Sequence, residues 1–450
     1  MLLPRLLLPL RSSTSTIARS TSPRQCLKLL PTAAAAAMTQ QRFFAAAAAV
    51  EGAELNKTPL DALHRRNGGK MVPFAGYSMP VLYEGMGVGD SHRFVRERCG
   101  LFDVSHMVQH RFEGPGALQF LQTITPTDLT LLEPNQSTLS VLLHPVTGGI
   151  VDDLIITLEN PSSFYVVTNA ACKAKDTAYF THHLTHFNAT HSSTGAAVRH
   201  TVLHNQGLIA LQGPLAKDIL QEYLDSTPAR GKLDLSTLYF GYATTVAVPL
   251  GADNVEELHI ARGGYTGEDG FEISISPRNT EAVTQALLDA GKSGGRVQLA
   301  GLGARDSLRL EAGMCLYGHD IDDGTTPIEA GLKWLVGGNR VMEGTFNGHE
   351  TISRQYNDWK QVTRRRVGLI VDGAPAREGA EILEKGSDTV IGKVTSGCPS
   401  PTLGLNIAMG YVQSGFHKSG TEVGVKVRGK VRVGRVARMP FVGVGYYKKP

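Results

Sequence analysis

Residues 261–273 read A-R-G-G-Y-T-G-E-D-G-F-E-I, and the interpretation of the surrounding chain depends on this stretch. Its glycines would weaken an ordinary strand, because glycine packs no side chain and loses much conformational entropy on folding. Apolar residues nevertheless resume at alternate positions in Phe271, Ile273 and Ile275. The pattern therefore predicts a strand that enters, turns tightly through the glycines and leaves.

Glu272 stands between two of these apolar residues, at the start of the outgoing strand. Successive side chains of a strand point to opposite faces, so its carboxylate is predicted to lie opposite Phe271 and Ile273. That arrangement gives an ordered carboxylate beside a glycine-lined opening. The alternative is a surface hairpin on which Glu268, Asp269 and Glu272 are all solvated.

Length and composition indicate a globular protein of several domains. A chain of 450 residues exceeds the usual size of one domain, and 42% apolar with 19% charged residues is ordinary for this class. The five cysteines are scattered without a C-x-x-C pair, so neither a disulfide framework nor a metal site is expected.

Residues 1–44 have the composition of a mitochondrial transit peptide. They contain no Asp or Glu, many Ser and Thr, and six basic residues, Arg5, Arg11, Arg19, Arg24, Lys28 and Arg42. A secretory signal would need an unbroken apolar core, which Pro4, Arg5 and Pro9 interrupt. We therefore expect a protein of the mitochondrial matrix, cleaved near Arg42-Phe43-Phe44.

Removal of this leader changes the charge of the chain. The full sequence carries +4, and the leader contributes +6, so the remainder carries about −2. A nucleic-acid partner is not expected, because the basic excess belongs to the leader. No apolar run reaches the roughly 18 residues that a membrane-spanning helix needs, so no membrane association is expected.

The region 45–345 alternates helices and strands without a strict βαβ rhythm, which predicts two interleaved α/β units around one ligand site. The predicted helices cover 58–68, 90–98, 114–122, 173–186, 214–223 and 280–290. The predicted strands cover 101–112, 137–143, 150–158, 164–168, 198–212 and 239–250.

After a polar stretch at 344–360, which we interpret as a linker, short strands separated by glycines continue to the end. They predict a small all-β barrel or jelly roll at 360–450, and with the preceding region an α+β multidomain fold. The predicted strands are 366–371, 381–383, 390–396, 408–412, 422–427 and 430–438.

Four short motifs imitate functional sites. G-M-G-V-G at 85–89 lacks the glycine spacing of a dinucleotide loop, and G-K-S at 291–293 lacks the first glycine of a P-loop. His182, His183 and His186 have no nearby Glu or Cys to complete a metal set, so a solvated helix face is favoured. The basic run 364–366 is predicted to be exposed.

Two adjacent acids, Asp152 and Asp153, follow the turn G-G-I-V at 148–151. In a strand they point to opposite faces, so one can face solvent while the other enters an apolar interior. A buried carboxylate is costly unless it binds something, which makes the inward acid a candidate for contact with a ligand proton or a developing positive charge. The alternative is that both acids cap the turn.

Several blocks together resemble the aminomethyltransferase (T-protein) family of the glycine cleavage system, over about residues 58–447. Besides the glycine-rich stretch, they are G-G-K-M-V-P-F-A-G (68–76), L-F-D-V-S-H-M (101–107), G-G-I-V-D-D-L-I (148–155), A-L-Q-G-P (210–214), the segment 300–320 beginning A-G-L-G-A-R-D-S-L-R-L-E-A, and T-S-G-C-P-S-P-T-L (395–403).

The resemblance implies an enzyme that moves a methylene carbon from an aminomethyl group on a lipoyl arm to tetrahydrofolate. Ammonia, dihydrolipoyl protein and 5,10-methylenetetrahydrofolate are the implied products, and the lipoylated H-protein is the implied partner, alongside the other glycine cleavage components. Tetrahydrofolate is a co-substrate, and no metal is implied. Asp153 matches the catalytic aspartate of the family.

The resemblance also implies a set of folate contacts. Glu272 and Arg305 match the glutamate and arginine that bind folate, and Tyr446 matches a tyrosine that reaches the ligand from the C-terminal domain. Asn169, Tyr265, Leu139 and Met107 match positions that line the pocket. The alternative for Arg305 and Arg309 is a structural network with Asp306 and Glu311.

Two other functions are alternatives. The folate-binding portion of a sarcosine- or dimethylglycine-oxidising flavoenzyme would follow a flavin-binding domain, whereas only the leader precedes this region. A folate-binding protein of iron–sulfur assembly would carry K-G-C-Y-x-G-Q-E, where this chain reads R-L-E-A-G-M-C-L-Y-G from Arg309 to Gly318.

Overall fold

The computed structural model describes residues 54–450 except 192, 194, 228–232 and 252. The predicted leader, residues 1–44, lies outside the described residues. Within the described ranges, no helix combines the length and apolar character needed to cross a membrane. The helices are α1 (Asp61–Arg66), α2 (Val88–Glu97), α3 (Ala117–Ile124), α4 (Lys173–His191), α5 (Ala216–Ser226), α6 (Thr280–Ala290), α7 (Leu302–Glu311), α8 (Gly338–Glu343) and α9 (His349–Asn357).

The strands of the first three sheets precede the barrel in sequence. They are β1 (Gly69–Phe74), β2 (Tyr77–Tyr83), β3 (Gly100–Asp103), β4 (Val108–Glu113), β5 (Ser137–Leu143), β6 (Ile150–Asn160), β7 (Ser163–Thr168), β8 (Arg199–Val202), β9 (Gly207–Gln212), β10 (Ala243–Gly251), β11 (Asn254–Arg262), β12 (Gly270–Ile275) and β13 (Gln298–Leu299). β1 and β2 form a hairpin, while the others form a five-stranded sheet of order β5-β6-β7-β4-β8 and a six-stranded sheet of order β10-β11-β12-β9-β3-β13.

A shared buried cluster joins the five-stranded and six-stranded sheets. Tyr165 and Val167 of β7 belong to it, and so do Leu208 and Ala210 of β9. The hydroxyl of Tyr165 also donates a hydrogen bond of 2.8 Å to Gln109, across the pair β4 and β7. The two sheets therefore pack against each other through this cluster, and α7 packs against the same cluster.

Two predicted strands are wrong in the same way. The run 101–112 is two strands, β3 and β4, and these lie in different sheets. Likewise the run 198–212 is β8 in one sheet and β9 in the other. Each run mixes apolar and polar residues on both sides of the crossing, so its composition does not show which sheet each strand joins.

The C-terminal strands close into a six-stranded barrel, which confirms the predicted all-β barrel. They are β14 (Arg364–Val371), β15 (Glu381–Glu384), β16 (Val390–Pro399), β17 (Asn406–Gln413), β18 (Glu422–Val427) and β19 (Lys430–Ala437). Closure comes from β19 pairing back on β14, where Gly368 faces Ala437. Alternate side chains such as Val367, Leu369 and Val371 fill the interior.

Two predictions near the start of the barrel are wrong. The polar stretch 344–360 contains α9, because Ile352 is fully buried and gives the helix an apolar anchor. The basic run 364–366 is only partly exposed, and Arg366 donates to the carbonyl oxygens of Ala330 at 2.6 Å and Gly313 at 2.9 Å. These bonds satisfy loop carbonyls that would otherwise lack donors.

Helix α7 is fastened to the barrel at its last two turns. Arg309 pairs with the buried Asp320 at 2.6 Å and donates to Ser396 of β16 at 2.9 Å. Two residues later, Glu311 accepts a hydrogen bond of 2.5 Å from Ser400. The start of the same helix, which carries Arg305, is thereby held in a fixed position relative to the barrel.

Residues 441–447 return from the barrel to the glycine-rich stretch. The amide of Phe441 donates to the carbonyl oxygen of Glu311 at 2.8 Å, and the amide of Gly445 donates to Gly267 at 2.8 Å. Finally, the amide of Phe240 donates to the carbonyl oxygen of Tyr447 at 2.7 Å. The tail therefore joins α7, the 263–269 turn and the segment before β10.

The glycine-rich stretch is a tight turn between β11 and β12, which confirms the predicted hairpin. Gly267 has φ = +81°, a conformation that favours glycine. At Gly270 a Cβ atom would lie 2.4 Å from the carbonyl oxygen of Leu211, so no side chain fits there. Arg262 closes the base of the turn through a 2.9 Å hydrogen bond to Asp269.

Candidate active site

The two adjacent acids lie near the start of β6 and point to opposite faces, as predicted. Neither faces open solvent on the outside of the sheet. Asp152 is fully buried, while Asp153 is half-buried. The expectation that one acid is solvated is therefore wrong, because the helix α4 covers the face that Asp152 occupies.

Asn169, which follows β7, connects the two acids. Its backbone amide donates to Asp152 Oδ2 at 2.9 Å, and its side-chain Nδ2 donates to Asp152 Oδ1 at 2.9 Å. The same Nδ2 lies 2.8 Å from Asp153 Oδ1 and 3.1 Å from the Asp153 carbonyl oxygen. Both carboxylates are thus oriented by one amide, and the alternative that they cap the turn at 144–149 does not describe them.

The environment of Asp153 opposes its ionisation. Burial, and then the neighbouring charge of Asp152, raise the pKa of Asp153 to about 7, against an ordinary value of 3.8. The hydrogen bond from Asn169 and the charge of Arg305 act in the opposite direction. A carboxyl that ionises near neutral pH is typical of a group used in proton transfer or charge stabilisation.

Arg305 lies one turn into α7, within electrostatic range of Asp153. Its guanidinium stands over the ring of Tyr265, 4.9 Å from the centroid, and Tyr265 donates a hydrogen bond to the carbonyl oxygen of Cys315. Among the described residues, the Arg305 guanidinium has no ion-pair partner within 4.0 Å. Burial lowers the pKa of Arg305 from its ordinary value, although it remains a strong base.

Glu272 lies in β12 on the face opposite Phe271 and Ile273, both of which are fully buried in the core behind the sheet. Its side chain is half-buried. Burial raises the pKa of Glu272, and the charge of Arg305 partly offsets that effect. Glu272 has no ion-pair partner within 4.0 Å among the described residues, so its carboxylate and the Arg305 guanidinium are both available to a ligand.

The alternative of a solvated hairpin does not hold for the other two acids of the turn. Asp269 pairs with Arg262, whose side chain is 1% exposed. Glu268 pairs with Arg96 of α2 at 2.7 Å, and Arg96 also pairs with Glu311 at 2.9 Å. The acids at 268 and 269 therefore hold the turn, which leaves Glu272 as the acid without an internal partner.

Three further predicted residues lie on separate segments of the fold. Leu139 of β5 faces Ile155 of β6, so it shares a sheet face with Asp153. Met107 lies in the crossing between β3 and β4 and packs against the cluster between the sheets. Tyr446 stacks on Phe240 with ring centroids 4.2 Å apart. Within the described residues, no hydrogen bond or ring contact joins Tyr446 to the acids.

Arg309 does not belong to this centre. It pairs with Asp306 at 2.8 Å and with Asp320 at 2.6 Å, so the structural-network alternative describes it correctly. Arg305 takes no part in that network. Glu311 pairs with Arg96 and accepts from Ser400.

Comparison with known proteins identifies the family of this chain. A family model described as the GCVT N-terminal domain matches residues 60–340, and one described as the glycine cleavage T-protein C-terminal barrel domain matches residues 364–443. The chain belongs to the glycine cleavage T-protein family.

Individual T-proteins agree over almost their whole length. The mitochondrial aminomethyltransferase of Saccharomyces cerevisiae is 46% identical over 403 residues, which cover 88% of this chain and 96% of the yeast protein. The probable mitochondrial aminomethyltransferase of Schizosaccharomyces pombe is 44% identical over 88% of this chain and 95% of its own. A crystal structure of glycine cleavage system aminomethyltransferase T from Bartonella henselae is 37% identical, with a TM-score of 0.75 over 88% of this chain and 100% of that one. This T-protein family member is therefore an enzyme, a transferase.

The sequence did not indicate that His106, a residue of the block 101–107, belongs near this site. His106 in L-F-D-V-S-H-M is 1% exposed, and neither ring nitrogen has a hydrogen-bond partner among the described residues. Burial, and then the charge of Arg305, lower the pKa of His106 to about 3, so its ring is neutral. It lines the same cavity as Met107. A histidine between a serine and a methionine gave no spacing signal in the sequence.

Behind β6, on the face away from Asp153, lies a second group that sequence reasoning missed. One ligand atom each from Asp152, Cys172 and Asp176 lie within 4.8 Å of one another, and all three residues are buried. Such a group could hold a metal ion, although acidic groups of this kind also occur without one. Asp176 is 24 positions from Asp152, too far for a motif to reveal the contact.

Proposed function

We propose that this chain is an aminomethyltransferase of the glycine cleavage system. It would transfer the methylene carbon of the aminomethyl group on a lipoyl arm to tetrahydrofolate, with release of ammonia. The observation that carries the proposal is the set of three half-buried charged groups, Asp153, Glu272 and Arg305, of which the last two lack internal ion-pair partners. Relatives that share 44–46% of their residues with this chain are named mitochondrial aminomethyltransferases.

Glu272 and Arg305 are proposed to bind the folate. A pterin ring offers adjacent N–H donors, and one carboxylate can accept two of them side by side. The carboxylate of Glu272 is anchored on a strand whose opposite face is fully buried, so its position is fixed before the ligand arrives. Arg305 would contribute a planar group with several donors. Asn169, Tyr265, Leu139, Met107 and Tyr446 are proposed to line the same pocket.

Asp153 is proposed as the catalytic residue. Positive charge develops on the aminomethyl carbon as its bond to nitrogen or sulfur breaks, and a nearby anion in a water-poor site stabilises that charge. The same carboxylate could accept a proton as the folate nitrogen attacks. A pKa of about 7 suits both roles, because the group can exist in either protonation state at neutral pH.

The partner is proposed to be the lipoylated H-protein, acting together with the other components of the glycine cleavage system. Its lipoyl arm has to reach Asp153 from outside, so the carrier would dock transiently at the opening of the pocket. Residues 1–44 are proposed to direct the chain to the mitochondrial matrix, followed by a folate-binding region at 45–345 and the barrel domain at 360–450.

The test is a reconstituted reaction with the purified mature protein, aminomethylated lipoyl H-protein and tetrahydrofolate. We expect 5,10-methylenetetrahydrofolate and ammonia in equal amounts. Glu272→Gln keeps the volume of the side chain and removes its charge, so it should weaken folate binding. Glu257→Gln on the exposed face of β11 is the matched control and should behave as the wild type. Absence of both products with the wild-type protein would disprove the function.

A further inference from the structure

We propose that Asp152 and Asp176 share a single proton, and that this carboxyl pair positions Asn169 and thereby Asp153. Asp152 and Asp176 would be positioning residues rather than catalytic ones. The effect on turnover rests on the proposed function, whereas the protonation state of the pair can be measured independently of it.

The first observation is the enclosure of the pair. Asp152 and Asp176 are both 0% exposed, and the Cys172 thiol beside them is 3% exposed. Carboxyl oxygens of the two acids lie within 4.8 Å of each other. Two ionised carboxylates this close inside a protein repel each other and lose their hydration. One of them must therefore be protonated in the folded protein.

The distribution of donors decides which acid keeps the proton. Asp152 accepts two hydrogen bonds of 2.9 Å, both from Asn169. Neither oxygen of Asp176 has a hydrogen-bond partner among the described residues. The ionised form is favoured where donors are present, so the negative charge belongs on Asp152 and the proton on Asp176. The O–H of Asp176 then donates to Asp152, and contact between the carboxyls becomes a hydrogen bond.

Other charged and titratable groups around the pair do not change this assignment. Lys175, the cation beside Asp176, is engaged by the hydroxyl of Tyr317 and by Asp323 at 3.2 Å. Burial, and then the charge of Asp152, hold the pKa of Asp176 well above its ordinary value. The remaining groups that face the pair or Asp153 are Cys172, Thr168, Tyr179, Tyr265, Cys315 and Arg305.

Asn169 carries the effect to the reacting side of the strand. Its Nδ2 lies within 3.1 Å of three acceptor oxygens, one on Asp152 and two on Asp153. With the charge on Asp152, the amide orientation that donates to both acids is the favoured one. The same charge adds to the effect of burial in opposing ionisation of Asp153, so the pair also raises the pH at which the catalytic carboxylate forms.

The first experiment uses the unaltered mature protein. Carboxyl groups of 13C-labelled aspartate are followed by NMR, and the carboxylic-acid C=O band by infrared spectroscopy, between pH 5 and pH 9. We expect one aspartic acid to stay protonated at pH 8, and its signal to be absent from Asp176→Asn. Ionisation of every aspartate at pH 8, or one divalent metal ion per purified chain, would overturn the proposal.

The second experiment measures turnover in two variants of the buried acid. Asp176→Leu removes the donor to Asp152 and should lower kcat about tenfold with little change in folate affinity. In Asp176→Asn a neutral amide can donate in place of the acid, so most of that loss should be recovered. Equal losses in both variants would contradict the shared proton. A wild-type protein without transferase activity that still shows the protonated acid would count against the proposed function alone.

Discussion

Asp153→Asn should separate the contribution of this residue to catalysis from its cost to stability. The amide of asparagine has the same shape and can still accept the hydrogen bond from Asn169 through its oxygen. The negative charge, however, is lost. A group that stabilises developing charge contributes about 10²–10³ in kcat, so turnover should fall by on the order of a hundredfold or more. Folate binding should remain.

The free energy of unfolding of Asp153→Asn should increase, although its turnover decreases. The pKa of Asp153 is about 7 in the folded protein against an ordinary 3.8, a difference of roughly three units or about 4 kcal/mol at most. Because the folded-state pKa is raised, the folded protein is penalised as pH rises from 3.8 to 7, and the penalty is complete above pH 7. Asp153→Asn should therefore raise the free energy of unfolding by about 1–4 kcal/mol at pH 8, and by roughly a third of that at pH 5.

The assay combines steady-state turnover, folate binding and urea unfolding at pH 5 and pH 8. Asp388→Asn, an exposed acid in the loop between β15 and β16, is the matched control and should change none of these quantities. Turnover within about fivefold of the wild type would refute the catalytic assignment. Lower stability of Asp153→Asn at pH 8 would refute the reasoning about its burial.

Three other outcomes are expected. Since Asp153 must be ionised to stabilise positive charge, kcat should fall as the pH drops below about 7 with the titration of a single group, and a flat profile between pH 6 and pH 8 would contradict this. Glu272→Gln and Arg305→Gln should each weaken folate binding by roughly 1.5–3 kcal/mol, measured by calorimetry, and unchanged affinity in both would remove them from the site. Arg309→Met leaves the buried Asp320 without its cation, so urea unfolding should show a loss of about 3–5 kcal/mol; an unchanged midpoint would show that the pair contributes nothing.

Local patterns carried enough information to predict part of this structure. The glycine-rich turn, and the placement of Glu272 opposite Phe271, follow from alternation within a dozen residues. The strands β5 and β6 were predicted closely for the same reason, because their turn and their apolar alternation are both local. The barrel was predictable from the regular spacing of short strands.

Features that depend on distant contacts were not predictable. The burial of Asp152 depends on α4, which supplies Asp176 from 24 positions further along the chain. The crossings between sheets after β3 and after β8 are not visible in composition, because polar and apolar residues occur on both sides of each crossing. Arg96 gave no signal at all, although it joins Glu268 to Glu311 and so links the turn to α7.

The tail at 441–447 affects the order in which contacts of this enzyme can form during synthesis. A ribosome synthesises these residues after every element that they join, and a chain crossing a membrane N-terminus first would deliver them last. Until then the 263–269 turn lacks the bond between Gly445 and Gly267, and Phe240 lacks its stacking partner Tyr446. A chain that has not yet been synthesised as far as Tyr446 therefore lacks the contacts that join the 263–269 turn and Phe240 to the tail.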